Sequence, residues 1–330
     1  MKHTLFLFPN FNPKKDRSGN PYLFLLSEAL LKRCTLKNRM TSRFGFLSVF
    51  CNFDVDYVVL NWTESIPYKP FGYLQVIAFV VGILLLKFTG KRIIWIAHNK
   101  KSHLRESVLS DFCMWMSARC ASKVICHASE GISFFYEKYP FIKNLVFVQH
   151  PAYSMEMIPT TAIEYDFIIW GGLDRRKRIA EFVKFARSRE YYKEKKILIC
   201  GRAQDPEYEK ELRLVCDDFC VLKPGFVSEV QLREFIQKSR CILFTYKEEN
   251  TLGSGALIYS LNFGKKIIGP KSGAFLDLPE CVLCFDSFDD IEDLASQSRN
   301  LKSSAQEYVN LHTWDKLTSE ILSTGQETEG

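Results

Sequence analysis

The segment Cys241–Pro270, CILFTYKEENTLGSGALIYSLNFGKKIIGP, constrains the fold more tightly than any other stretch of the chain. Its apolar, β-rich opening, Cys241–Tyr246, predicts a buried strand of a parallel sheet. A polar loop with two glycines, Lys247–Gly255, then leads into a helical pattern over Ala256–Phe263, which Gly264 stops. A second short strand, Lys266–Ile268, runs to Gly269–Pro270. This order is one βαβ unit. In a doubly wound sheet its turn lies outside the carboxyl ends of the strands, where ligands bind. Gly253, Ser254 and Gly255 bring backbone N–H groups to a helix N-terminus, where the macrodipole also favours negative charge. The loop suits an anion, most simply a phosphate; the alternative is a tight turn with no ligand.

A chain of 330 residues exceeds what one hydrophobic core usually supports, so two domains are expected. The net charge of +6 fits an anionic ligand or an acidic membrane surface and is too weak to argue for nucleic acid. Eleven cysteines are scattered without a disulfide framework, which favours a reducing, cytoplasmic setting. Cys281 and Cys284 form a lone C-x-x-C and read as strand residues rather than metal ligands. The apolar run Thr4–Phe8 meets Pro9-Asn10 at once, as a first strand and turn do and a secretory signal does not. Tyr73–Phe88 is the longest apolar stretch, and it falls short of the roughly 20 residues that span a bilayer. It reads as a buried helix, with shallow membrane attachment as the alternative.

From the N-terminus, a strand at Thr4–Phe8 feeds a basic loop with Lys14 and Arg17, closed by Ser18-Gly19-Asn20-Pro21, before a helix over Tyr22–Cys34. Strands follow at Asp56–Asn61 and Arg92–Ala97, with Tyr73–Phe88 crossing between them. At the carboxyl end of the Arg92–Ala97 strand stand His98, Asn99 and His103, where catalytic groups belong in this architecture. A histidine there can hydrogen-bond or move a proton near neutral pH. A helix over Glu106–Ala121 and strands at Lys123–His127 and Leu145–Val148 complete a Rossmann-like first domain, residues 1–155. His127 and His150 also stand at strand ends and are not read as metal ligands.

A second such domain, residues 156–330, opens with the strand Tyr165–Trp170, then Gly171-Gly172 and four cations, Arg175 to Arg178, before the helix Ile179–Arg187. Cations at a helix N-terminus oppose the macrodipole and need a partner, which a bound anion would supply. Lys196–Cys200 with Gly201-Arg202 repeats the pattern. Helices over Glu207–Val215 and Glu229–Ser239 flank the segment Val221–Val227, which includes Gly225 and Phe226. A last strand, Val282–Phe285, precedes helical residues whose final helix is free to pack back on the first domain.

These residues in this order resemble the GT-B glycosyltransferases, in particular the retaining, nucleotide-sugar-dependent family-4 type of bacterial polysaccharide clusters. The resemblance covers nearly the whole chain and rests on Ser18 to Tyr22, His98-Asn99 with His103, Gly171-Gly172 with Arg176-Lys177, Gly201-Arg202, and the segment ending Gly264-Lys265. It implies an α/β fold of two facing Rossmann-like domains with parallel sheets, the donor lying mainly on the second. It implies that Lys177 pairs with the donor diphosphate, joined by Arg176 or Arg202. Gly253, Ser254 and Gly255, with Asn250, Thr251 and Leu252, would meet the phosphates. Gly172 stands where the family usually has an arginine. Phe226 and Val227 fall where the base lies, and Gly19 and Asn20 approach the sugar. His98 would hydrogen-bond the transferred sugar, with Asn99, His103, Lys14 and Arg17 on the acceptor side. The family's Glu-x7-Glu pair falls here at Thr251 and Tyr259, neither acidic, so Glu248 or Glu249 would do the first glutamate's work.

The chemistry implied is departure of a nucleoside diphosphate from an anomeric carbon, helped by prepositioned cations and amides with no divalent metal or other cofactor. With retention, the leaving phosphate oxygen accepts the acceptor's proton and His98 positions; with inversion, Glu130 is the candidate base. The expected acceptor is a glycan or lipid-linked glycan, handled at the cytoplasmic face with peripheral contact to the inner membrane. Rival readings are a nucleotide-sugar epimerase of the same fold and a non-catalytic binding partner. A dehydrogenase fits less well, since no G-x-G-x-x-G follows the first strand.

Overall fold

The computed structural model describes residues 2–11, 20–39, 42–101, 107–153, 155, 162–246, 252–299 and 301–323. The expected site residues Lys14, Arg17, Gly19, His103, Glu248, Glu249, Asn250 and Thr251 lie outside them. The chain divides into two compact units, one of Met1–Pro151, Asn250–Gly253 and His312–Gly330, the other of Ala152–Glu249 and Ser254–Leu311.

In the first unit, β1 (Thr4–Phe8) leads to α1 (Pro21–Arg33) and β2 (Thr35–Leu36). Then come β3 (Tyr57–Asn61), α2 (Gly72–Phe88), β4 (Arg92–Ala97), α3 (Val108–Cys120), β5 (Lys123–Cys126), α4 (Ser129–Lys138) and β6 (Leu145–Phe147). All pairings are parallel, in the order β2-β1-β3-β4-β5-β6. Every residue of β3 and β5 is buried, as expected of strands covered on both faces, and their interiors are apolar, with Asn61 ending β3 and Lys123 opening β5. Helix α1 starts where its sequence says it should. Asn20 caps it by accepting from the Tyr22 amide at 2.9 Å, Pro21 occupies the first turn, and Lys32 and Arg33 close the last.

The second unit runs β7 (Tyr165–Trp170), α5 (Ile179–Arg187), β8 (Ile197–Gly201), α6 (Pro206–Cys216), β9 (Cys220–Pro224), α7 (Glu229–Gln237) and β10 (Ser239–Leu243). It continues through α8 (Gly255–Leu261), β11 (Lys266–Pro270), β12 (Leu283–Phe285), α9 (Ile291–Ser296) and α10 (Lys302–Leu311). Its sheet is also parallel throughout, ordered β12-β11-β10-β7-β8-β9. The chain then returns to the first unit with α11 (Trp314–Leu322), which packs on α1 through Trp314 and Tyr22, ring centroids 5.1 Å apart. The buried ammonium of Lys123 holds this helix. It donates to the Glu320 carboxylate at 2.6 Å, the Glu320 carbonyl at 2.7 Å and the Ser323 hydroxyl at 2.7 Å. Three acceptors match its three protons, which is what a buried lysine requires.

The two-domain α/β architecture agrees with the expectation, and most strand limits fall within two residues of it. Differences lie in short or tightly wound pieces. Strand β2, helix α4 and the 3₁₀ stretch Ser42–Cys51 were not anticipated, and α8 stops at Leu261 rather than Phe263. Helix α2 departs in another way, since only one of its faces is buried.

At the carboxyl edge of the second sheet, β7 and β8 come unusually close. Gly201 has φ +139°, and a Cβ there would lie 1.9 Å from the Gly171 carbonyl oxygen. Neither atom can yield, because both belong to the backbone. Gly201→Ala is therefore expected to destabilise the protein by at least about 2 kcal/mol, combining overpacking with left-handed strain. Urea denaturation measures this, and an unchanged midpoint would refute the tight approach.

Candidate functional site

Parallel strands send all their carboxyl ends to one edge of a sheet, so each unit gathers its loop residues along one rim. In the second unit the order reverses between β7 and β10, which pair directly while their connections leave in opposite directions. Lys177 is at this switch point. Asp174 caps the 3₁₀ turn Arg175–Lys177, and Arg178, with φ 52°, breaks it from α5. The turn delivers the Lys177 ammonium back over β7, where it donates to the Trp170 carbonyl at 3.3 Å. It also lies 5.3 Å from the centre of the Tyr246 ring, and Thr245 Oγ1 donates to the Lys177 carbonyl. Thr245 and Tyr246 follow β10, so residues from both sides of the reversal fix one cation.

The neighbouring cations have found carboxylates. Arg175 bonds Glu211 and lies 3.4 Å from Asp205, Arg176 pairs with Asp174 at 3.0 Å, and Arg178 bonds Glu181 at 2.6 Å. The partner that the sequence seemed to demand for this cluster is thus supplied within the unit for three of the four. Arg202 follows β8 exposed, without an ion pair among the described residues. Phe226 follows β9 and is 88% exposed, a bare aromatic face at the same rim, while Val227 is half-buried against the core. Gly172 is exposed, and a Cβ there would meet nothing, so packing places no demand for glycine.

The anticipated phosphate loop divides between the units. Ser254 caps α8, accepting from the Leu257 amide at 3.2 Å, and Gly255 begins that seven-residue helix with its Cβ position 3.1 Å from the Tyr153 hydroxyl. Leu252 and Gly253 belong to the first unit. Leu252 is fully buried in its apolar core and donates its amide to the His98 carbonyl at 3.2 Å. Gly253 leaves only 3.6 Å between its Cβ position and that of His127.

The first unit's rim gathers His98, Asn61, Trp62, Tyr22, His127 and His150. Asn61 Nδ2 donates to the Phe8 carbonyl at 2.9 Å, which orients Oδ1 to accept from His98 Nε2 at 2.9 Å. This contact places a proton on His98 Nε2. Trp62 holds a left-handed backbone, φ 48°, and stacks on His98 with centroids 4.3 Å apart and planes 14° from parallel. Tyr22 meets the opposite geometry, edge-on to His98 at 4.8 Å. Its hydroxyl donates to His127 Nε2 at 2.8 Å, because His127 Nδ1 donates to the Val148 carbonyl at 2.8 Å. Burial pushes His127 down to about 4, against the Val148 bond, and His150 down to about 3, with His127 adding to the lowering. Both rings are neutral hydrogen-bonding groups at physiological pH.

Asn99 is buried and commits its amide to Glu64 Oε1 at 2.6 Å. Burial raises the Glu64 carboxyl to about 7 against that bond. Glu130 pairs with Lys100. Asn20 spends its side chain on the α1 cap. Asn61, Trp62, Glu64, Tyr22, Thr245 and Tyr246 were missed in the sequence. Asn61 and Thr245-Tyr246 carried a signal, as polar endings of apolar strand runs; Tyr22, Trp62 and Glu64 meet the site only through the fold.

Two Rossmann-like units with six-stranded parallel sheets make this a GT-B fold. Among solved structures, HepE from Anabaena, in complex with UDP and glucose, matches with TM-score 0.67 and 13% identity over 98% of this chain and 99% of that one. Sucrose-phosphate synthase from Thermosynechococcus elongatus matches with TM-score 0.67 and 11% identity, covering 97% of each chain. The lipopolysaccharide outer core galactosyltransferase WaaB matches with TM-score 0.62 and 13% identity, over 96% of this chain and 98% of that one. At these identities the likeness is one of fold. No family model and no curated protein sequence matches the chain.

The Glu64 environment has a measurable consequence. An unfolded glutamate ionises above about pH 4.3, whereas the folded carboxyl keeps its proton to about 7, so stability falls as pH rises between the two. Glu64→Gln retains an acceptor for Asn99 and removes that loss. It is expected to stabilise the protein at about pH 8 by on the order of 3 kcal/mol and to change little at about pH 4. Equal urea midpoints for variant and wild type at the higher pH would contradict the raised carboxyl.

Proposed function

We propose that this protein is a glycosyltransferase that moves a sugar from a nucleoside-diphosphate donor to a glycan or lipid-linked glycan. The observation that carries the reading is Lys177, a cation fixed by Trp170, Thr245 and Tyr246 at the strand-order reversal of the second sheet. Ligands of open α/β sheets bind at such reversals, and a leaving diphosphate needs positive charge where its own charge develops. UDP complexes of a structure with the same fold support the choice of a nucleotide ligand.

In this mechanism the donor lies along the second unit's rim. Lys177 neutralises the departing diphosphate, Arg202 adds exposed charge, and the bare Phe226 face offers a surface on which a base can stack. The helix-start amides of Gly255 and Ala256 are donors with no partner within α8. His98 belongs to the first unit and acts as a positioning group. Its Nε2–H is held by Asn61 and its face by Trp62, which fix the ring's orientation at the rim. We assign the reaction to the retaining class, in which the leaving phosphate oxygen takes the acceptor's proton and no separate base is required. Glu130, already paired with Lys100, is poorly placed to serve as one. The reading calls for no divalent metal, since Lys177 and the amides supply the charge, and it sets the work in bacterial polysaccharide assembly in the cytoplasm.

Lys177→Ala is expected to lower sugar transfer by about a hundredfold or more, as loss of a donor to developing charge does elsewhere. The assay follows nucleoside-diphosphate release across a panel of nucleotide sugars, with and without glycan acceptors. Thermal stabilisation by UDP and its analogues identifies the donor, because a ligand at a hundred times its Kd adds about 2.7 kcal/mol. Undiminished transfer by the folded variant would remove Lys177 from the mechanism.

A further inference from the structure

Helix α2 is apolar on both of its faces. Gln75, Val76, Phe79, Gly82, Ile83 and Leu86 are turned into the first unit. Leu74, Ile77, Val81, Leu84, Leu85 and Phe88 recur at spacings of three and four, with one adjacent pair, on the other face, and all are exposed, from 37% at Leu84 to 84% at Phe88. Phe71 and Tyr73, each 80% exposed, extend the stripe at the helix start. Seventeen residues at about 1.5 Å each make a bare apolar ridge of roughly 25 Å. Isolated exposed apolar residues are ordinary, but a contiguous stripe of this length marks a contact surface. Within the described residues of the same unit, Phe44 and Phe50 beside α2, and Phe112 and Trp115 on α3, are also exposed.

Charge identifies what the ridge meets. Residues 1–151 hold 20 lysines and arginines against 9 aspartates and glutamates, whereas residues 152–330 hold 24 against 29. With its segments 250–253 and 312–330 included, the first unit holds 21 lysines and arginines against 13 carboxylates and the second 23 against 25, so the positive charge of the chain belongs to the first unit. No acidic residue occurs from Phe71 to Arg92; Lys69 precedes the ridge, Lys87 stands in its last turn, and Lys91 and Arg92 follow it. Apart from the Tyr73 hydroxyl, the exposed residues named on the ridge carry no hydrogen-bonding or charged group that could set the register of a protein partner. Fluid hydrocarbon makes no such demand. Apolar ridges bordered by cations and aromatic rings insert at the boundary between acyl chains and anionic headgroups.

We propose that the exposed face of α2 docks this protein on an anionic lipid bilayer surface, the helix lying in the interface plane. No helix among the described residues is long and apolar enough to cross a membrane, so the attachment is peripheral. The proposal does not depend on the transferase reading, and its test uses no turnover.

The full chain is sedimented with vesicles of phosphatidylglycerol mixed with phosphatidylcholine, and with vesicles of phosphatidylcholine alone. Wild type is expected to pellet with the anionic vesicles, less so at high salt, and to leave the neutral ones largely unbound. The double variant Ile77→Glu/Leu84→Glu is expected to lose at least about tenfold in partitioning. Circular dichroism checks its fold, and Phe71→Ser/Phe88→Ser serves in its place if it does not fold. Wild type remaining in the supernatant, or folded variants pelleting as well as wild type, would overturn the proposal. So would equal binding to neutral vesicles. Equilibrium sedimentation without lipid covers the rival occupant: a wild-type dimer that the variants split into monomers would assign the ridge to a second copy of the chain and overturn lipid docking.

Discussion

The parallel pairing of β7 with β10 governs where charge can collect in the second unit. These neighbours share a ladder that joins Ser239 to Tyr165 and Ile242 to Ile168, yet the chain leaves them toward opposite halves of the sheet. Lys177 is placed at this sheet's rim by a turn with two local anchors, the Asp174 cap and the left-handed Arg178, beside the close approach of Gly201 to Gly171. A lysine on a long loop would lose its position to side-chain entropy. Here the backbone carbonyl of Lys177 is held by Thr245 and its ammonium by the Trp170 carbonyl, so both ends of the residue are anchored.

The first unit solves a different problem at its own rim, that of burying polar rings and a carboxyl without stranding them. It does so with carbonyls at and beyond strand ends. Phe8 ends β1 and accepts from Asn61, while Val148, beyond β6, accepts from His127, and Pro151 accepts from His150. These bonds select a tautomer for each ring, and burial keeps His127 and His150 neutral. The titrations oppose one another. Two histidines with depressed values make the fold lose stability as pH falls below about 6.5, while Glu64 makes it lose stability as pH rises toward 7. The two effects act in opposite directions over the same range of pH, and the Glu64 loss is complete once pH has passed about 7.

Much of this architecture was legible in the sequence because buried parallel strands leave a strong local trace. Thr4–Phe8, Arg92–Ala97 and Tyr165–Trp170 have the limits their apolar runs suggest, and Pro9-Asn10, His98-Asn99 and Gly171-Gly172 after them mark the rim. Lys177 could be singled out for the same reason, since its distance from β7 is short and fixed. The two residues of β2 are too few to show any period, and the Ser42–Cys51 stretch interrupts its own pattern at Gly45, with φ 53°. The charge of Arg175 looked unanswered because Glu211 and Asp205 approach only after α6 packs on α5, whereas Arg176 and Arg178 had carboxylates close by in sequence, Asp174 and Glu181. Leu252, assigned to the donor loop on sequence order, is drawn into the first unit's core by packing against Gly131 that no spacing could reveal. The union of Tyr22, Trp62 and His98 likewise depends on three separate elements.

Helix α2 shows where periodicity falls silent. With apolar residues all round, it has almost no directional bias, so its sequence reads equally as a fully buried helix or as one with an uncovered side. What decides between them is a neighbour of unusual closeness. The Cβ position of Gly82 lies 2.9 Å from both Phe46 and Val49, and Gln75 accepts from the Phe46 amide at 2.7 Å. The Ser42–Cys51 stretch therefore seats on the Gly82 and Gln75 face, and any larger residue at 82 would push it off. Because that face is fixed by a glycine and a buried amide, the opposite one cannot rotate inward to hide Ile77 or Leu84. The ridge is exposed by the same packing that holds the helix in place.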